Sequence, residues 1–336
     1  MFDGSMAMSS HPPSSFRIRL VDGAIGRRRC RPKAWPSTSV LCPKPSSVLL
    51  QTTDDLSDSW NSMPARGGGS ESPILALPNT VGVIGGVSAV TTIRFLEKLV
   101  AWSSRDGGGA AALPFIVCSD PVLNRELSSH KRTSFLLPTS RNTDPVRIDH
   151  ASVVENLRCK RMFLETSGAR CMVMPCHISH SWHDEISEGC SVPFLHVGEC
   201  VAKELKAANL KPVEAGSNLR IGVLATDAIS TARFYSEKLQ DQGFEVLLPD
   251  KATMEHTVIP AMEAFNRKDV EGARNLLRIA LQVLLVRAVN TIILASDDMR
   301  GLLPRDDPLL KKCMDPMDAL ARATIWWADS KANNDQ

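Results

Sequence analysis

Aromatic residues are scarce in this chain, at 5% of 336 residues with a single tyrosine. That leaves little stacking surface of the kind that holds single-stranded nucleic acid. No uninterrupted apolar run reaches the length of a membrane span. The nine cysteines are scattered and none forms a CxxC pair. An odd, unpaired set in a chain this long argues against a disulfide framework and for a reducing compartment. GxGxxG spacing and a Walker lysine are both missing, so the one glycine turn that follows a strand carries little nucleotide signal. The formal charge is only +2 and it is uneven: residues 1–66 hold nine Lys/Arg and five Asp/Glu, leaving the rest slightly acidic. A near-neutral body offers no electrostatic case for nucleic acid or an anionic membrane as partner.

What is present is ordinary globular material, 43% hydrophobic and 23% charged. Residues 1–78 do not read as core. Segment 9–49 is rich in Ser, Pro and Arg with Asp22 as its one acid, the composition of an organelle transit peptide, so a chloroplast destination is expected, with the cytoplasm as the alternative. RGGGSES at 66–72 reads as a flexible linker, so residues 1–78 are expected to be a disordered leader. From residue 79 short apolar runs alternate with helical patterns. Val81–Ile84, Pro114–Cys118, Cys171–Pro175 and Pro193–Val197 read as buried strands; Ser88–Trp102, 149–167 and Gly198–Leu210 read as helices. The pattern then restarts at Arg220–Ala225, with a helix over Ser230–Gln242, strands at Glu245–Leu248 and Thr291–Ala295, and a long helix over 269–289. Such alternation implies right-handed βαβ units, and the repeat implies an α/β protein with two parallel sheets and a cleft between similar lobes.

Cys176 follows the strand in CMVMPCHISHSWHD (Cys171–Asp184), at the carboxyl end where open α/β sheets bind ligands. A thiol there can serve as nucleophile, base or metal ligand, or simply as a small buried hydrophobe. His177, His180 or His183 could pair with it, whereas CxxxH supplies too few ligands for zinc, and no metal is expected. Gly85–Gly86 lets a substrate approach the backbone. Ser88 can cap the helix that follows. Arg125 could clamp a carboxylate in bidentate fashion, or be a solvated surface arginine. Asp297 and Asp298 are an acid pair, a helix cap or a solvated turn.

Taken together, VGVIGG, NRE around Arg125, VMPCHISH, IGVLAT, TIILAS and MDPMDALA make the chain from Thr80 to Asp329 resemble the aspartate/glutamate racemase family, aspartate racemase most of all. The resemblance implies two pseudo-symmetric Rossmann-like lobes, a last helix that returns to the first lobe (79–197 plus 314–330, with 198–313 as the second), no cofactor, and commonly a homodimer. It also implies two opposed cysteines that remove and return the α-proton of a small amino-acid or carboxylate substrate. Cys176 matches the first cysteine, Arg125 a carboxylate-binding arginine and Thr226 the threonine after the second lobe's first strand. The second cysteine falls on Ser296. The threonine and glutamate beside it become Asp297 and Asp298, Asn-Thr after Cys176 becomes His177-Ile178, and a lysine of some members becomes Asn266. The expected substrate-binding set is therefore Arg125, Ser88, His177, Ile178, Ser179, Thr226, Asp297 and Asp298. Serine is hardly ionised at neutral pH, so the Ser296 face is the weaker base, and Asp297 disfavours a dicarboxylate. A one-cysteine decarboxylase or isomerase of the same superfamily and a silent carboxylate-binding protein are the alternatives.

Overall fold

Two four-residue-class apolar runs, VGVI and IGVL, open two halves built to one plan. The computed structural model describes residues 77–104, 113–127, 150–213, 216–226, 231–296 and 298–334, all within one compact unit, Asp58–Gln336. The leader and transit reading of residues 1–78 falls almost wholly outside these residues, as does Asp297.

The first half runs β1 (Val81–Ile84), α1 (Ala89–Ser103), β2 (Phe115–Cys118), α2 (His150–Thr166), β3 (Cys171–Val173), a 3-10 turn (Ile178–Trp182), α3 (His183–Ser187) and α4 (Val197–Ala207). The second runs β4 (Arg220–Ala225), α5 (Thr231–Gln240), β5 (Glu245–Leu247), α6 and α7, β6 (Thr291–Ala295), β7 (Cys313–Met314) and α8 (Pro316–Asn334). Here α6 comprises Lys251–Thr253, a π-helical turn Met254–Val258 and Ile259–Asn266, and α7 is Val270–Leu285. The sheets have strand orders β2-β1-β3 and β5-β4-β6-β7, and every pairing is parallel.

Both sheets bury two faces, which is why their strands read as apolar runs. Val81, Val83, Cys171 and Val173 point into one core together with Ile221, Val223, Ala225, Ile293 and Ala295. Alternate residues point the other way: Ile84, Met172 and Met174 meet Val153, Leu157 and Leu164, and Leu224, Ile292 and Leu294 meet Leu277, Leu281 and Leu284. On α7 the buried Ala273, Leu277, Ala280, Leu281 and Leu284 recur at helical spacing, and Asp269 caps its start by accepting from the Gly272 amide at 2.9 Å.

The duplication shows in matching details. Gly82 is the second residue of β1 and Gly222 the third of β4, each following one buried aliphatic residue, and a Cβ on either would press the side chain of its neighbour in the strand alongside, Met172 at 2.7 Å and Ile292 at 3.2 Å. The expected fourth strand Pro193–Val197 shrinks to one parallel bridge, Met172 to Phe194. Proline there has no amide to donate, and Val197 is taken into α4, whose cap is His196. Its counterpart in the second half is β7, followed by Asp315 and α8. His196 accepts from the amide of Gly198, and Asp315 from that of Met317, the same two-residue reach at both helix starts.

Helices α1, α4, α5 and α8 fill the layer between the sheets. α8 packs on α1 and α4, and α4 packs on α5. Lys98 of α1 binds Asp315 and Asp318 at 2.8 and 2.6 Å, Arg322 of α8 pairs with Glu204 of α4, and the Arg322 guanidinium lies 4.5 Å above the Trp102 ring.

Candidate active site

The chain leaves β3 through Met174 and Pro175 and turns at once, the Cys176 amide donating to the Met174 carbonyl at 2.8 Å. It leaves β6 directly at Ser296. Because β4 and β6 pair in register to Ala225 and Ala295, Thr226 and Ser296 sit side by side at the carboxyl edge of the second sheet. These are equivalent edges of the two sheets, as the repeat predicts.

Between them opens a cavity of about 720 Å³. His177 and Ser296 line it, with Thr91, Arg94 and Lys98 of α1, and Arg300, Arg305 and Asp315 from the segment before α8. His177 is buried, and its Nδ1 lies 3.1 Å from the hydroxyl of Tyr235 on α5. The chain's one tyrosine thus ties the loop after β3 to the second half. Ser296 is 5% exposed and its Oγ has no hydrogen-bond partner among the described residues, so no neighbour there is placed to draw off its proton.

Cys176 does not line this cavity. It is fully buried in the cluster that includes Ile84, Met174 and Ile178, against the glycine turn: a Cβ on Gly86 would lie 2.5 Å from Cys176 Cβ and 3.1 Å from Sγ. Gly86 is therefore dictated by the cysteine's position. Gly86→Ala forces Cys176 to move, and the expected cost is about 1–3 kcal/mol, read as a lower urea midpoint with the transition slope retained. Asn124, with its amide nitrogen turned inward, donates to the Gly86 carbonyl and braces the same turn.

The other expected site residues are dispersed. Ser88 caps α1, its Oγ accepting from the Thr91 amide at 3.1 Å and meeting Thr91 Oγ1 at 2.7 Å, which holds Thr91 at the cavity wall. Ile178 and Ser179 are buried beside Cys176 and are not on that wall. Arg125 is exposed on a helical stretch over 121–127, Asn266 is exposed at the end of α6, and Asp298 follows Ser296 in a turn; none of the three lines the cavity. Sequence reading missed Arg94, Arg300 and Arg305, whose helix-face and loop positions look like ordinary surface.

His180 and His183 are structural and not partners of Cys176. His180 Nε2 bonds the Met174 carbonyl at 2.8 Å, and its ring packs 5.7 Å from His183 and 5.0 Å from His196. Burial, then the neighbouring imidazoles, holds His180 well below the usual histidine range. Burial also lowers His183, and burial with His183 alongside takes His196 down to about 3. Among the described residues no three His, Cys, Asp or Glu side chains are arranged to hold a metal ion.

Paired parallel sheets with a cavity between the carboxyl edges of equivalent strands define a two-lobed α/β protein with Rossmann-like halves. Residues 84–324 match the Asp/Glu/hydantoin racemase family, and the chain belongs to it. Solved structures with this fold include an aspartate racemase homologue from Pyrococcus horikoshii OT3 (TM-score 0.58, 17% identity, 75% of this chain and 99% of that one). Another is the Picrophilus torridus aspartate racemase (TM-score 0.54, 21% identity, 74% of this chain and 94% of that one). Among curated relatives, the broad specificity amino-acid racemase RacX of Bacillus subtilis (strain 168) is 23% identical over 170 residues, 51% of this chain and 64% of RacX. Family membership supports racemase-type isomerase activity.

Proposed function

We propose that this protein is a cofactor-independent amino-acid racemase or epimerase in which Cys176, chain neighbour of the cavity-lining His177 and covered by the Gly85–Gly86 turn, exchanges the α-proton on one face of the substrate once that turn moves aside, and Ser296 stands at the other. The observation that carries the reading is the meeting of the loop after β3 and the end of β6 at one cavity, through His177 and Ser296. The family match and the partial likeness to a broad-specificity amino-acid racemase support amino acids as the substrate class. The α-carbanion has no electron sink here, so its stabilisation falls to positioning and to hydrogen bonds at the carboxylate.

The test is incorporation of solvent deuterium at the α-carbon of both enantiomers across a panel of amino acids. Exchange with inversion supports two-face chemistry, and a panel without exchange removes the reading. Ser296→Cys replaces an alcohol by a thiol that titrates near pH 8.5. The expected result is racemisation at least about tenfold faster at pH 8, measured by circular dichroism of the substrate. An unchanged rate would place the second proton transfer elsewhere.

The unpartnered Ser296 Oγ favours a second reading, an enzyme that delivers a proton from Cys176 alone. Release of carbon dioxide from a substituted malonate, lost in Cys176→Ala, would distinguish it, since a two-face racemase leaves that compound intact.

A further inference from the structure

The cavity is far larger than proton exchange on a free amino acid requires. At about 720 Å³ it falls in the range of sites that enclose drug-sized ligands. Thr91, Arg94, Lys98 and Ala101 line it at spacings of three and four residues, one face of α1. Ten residues of helix are roughly 15 Å long, so the cavity is a groove that runs beside α1 and is also bounded by Ser296, His177 and Asp315.

The charges along this groove are unbalanced. Lys98 is satisfied by Asp315 and Asp318. Arg300 reaches Asp315 only at 3.6 Å and shares it with Lys98. Arg94 and Arg305 have no ion-pair partner among the described residues. Arg94 also sits close to Arg300's own segment: a Cβ on Gly301 would lie 4.0 Å from Arg94 Nη1. Three guanidiniums, those of Arg94, Arg300 and Arg305, line the same groove, and like charges gathered there favour an anion among them. Glu97 and Asp315 are the only carboxylates among the lining residues described. At the inner end the buried, unpartnered Ser296 hydroxyl lines the same space. A guanidinium fork matches carboxylate or phosphate, so the groove asks for an anion held some distance from the reacting carbon.

We propose that this groove binds an anionic small molecule longer than a free amino acid, with a carboxylate or phosphate seated on Arg94, Arg300 and Arg305 and its other end at Ser296 and His177. Resting on the racemase reading, this makes the substrate an amino acid extended by an anionic substituent. The side chains that choose it come from α1 and from the segment before α8, not from the loop that carries Cys176.

The experiment is calorimetric titration of the full chain with pyrophosphate and with citrate at low ionic strength, on wild type, the double variant Arg94→Ala/Arg305→Ala, and Cys176→Ala. Both arginines are exposed, so the double variant is expected to keep the wild-type melting temperature, which is checked first. The expected result is saturable binding of one anion, weakened at least tenfold in the double variant and unchanged in Cys176→Ala. Preference for pyrophosphate assigns a phosphate-bearing ligand, and preference for citrate a carboxylate. Failure of both anions to bind wild type, or equal binding to the double variant, overturns the site. Because binding is read without turnover, arginine-dependent binding in a protein that exchanges no α-hydrogen would keep the anion site and discard the racemase chemistry.

Discussion

Cys176→Ala is expected to abolish solvent-hydrogen exchange at the substrate's α-carbon, a fall of about 10²- to 10⁴-fold, the usual cost of removing a positioned acid/base group. Among the described cysteines Cys176 alone is the chain neighbour of a cavity-lining residue, His177. Burial pushes the thiols of Cys171, Cys200 and Cys313 up to about 12, so they stay protonated at neutral pH. Burial, then a hydrogen bond to Glu165, raises Cys190 as well. Cys176→Ser is the sharper comparison, because it keeps the shape beside Gly86 and swaps only the acidity. Its rate should fall as far as that of the alanine variant while its urea midpoint stays near wild type. Undiminished exchange in either variant would make the sulfur a packing group and end the proposal. The measurement is mass-spectrometric deuterium uptake at saturating substrate.

Mild acid is expected to weaken the fold well before the carboxylates titrate. His180, His183 and His196 are held neutral in the folded protein, below the ordinary value of 6.5, and His196 stays so down to about 3. The unfolded chain takes up these protons near pH 6.5, so below that pH it binds more protons than the native state. Stability is then fully present above about 6.5 and declines as pH falls. Between pH 6.5 and 5, His196 alone accounts for roughly 2 kcal/mol, and His180 and His183 act in the same direction, less whatever Asp184 and Glu199 recover at the rim against the opposing charge of Lys238. Carboxylates follow only lower down. Burial raises Asp120 and Glu199, but their lysine partners outweigh it and both titrate below the ordinary carboxylate range. Urea unfolding at pH 7.5 and pH 5 checks this. A midpoint that does not move, or one that moves as far in His196→Asn as in wild type, contradicts the assignment.

The strands were legible because a sheet buried on both faces writes itself as unbroken apolar residues, and because VGVI and IGVL carry glycine at the same pressed position. The weak strand at Pro193–Val197 was not, since propensity cannot see that one proline and one helix cap leave a single bridge. Cys176 and Ser296 could be found from strand ends alone. Which way each side chain faces depends on turns no sequence pattern reports, and this is why Cys176 lies under Gly86 while His177 reaches the cavity. Tyr235 and His196 gave no signal either: the tyrosine meets His177 and the histidine packs 5.4 Å from Phe234 only when α5 closes on α4 and on the loop after β3.

The way the closing helices are placed has a consequence for how the molecule comes apart. The helix after the last strand of each half, α4 or α8, rests on the opening helix of the opposite half, α5 or α1. Each half therefore lends a part that the other cannot do without, a reciprocal swap inside one polypeptide. Neither half should survive as a fragment, and heating should melt both in one cooperative step, so that damage confined to α8 is felt as far away as the strands beneath α4.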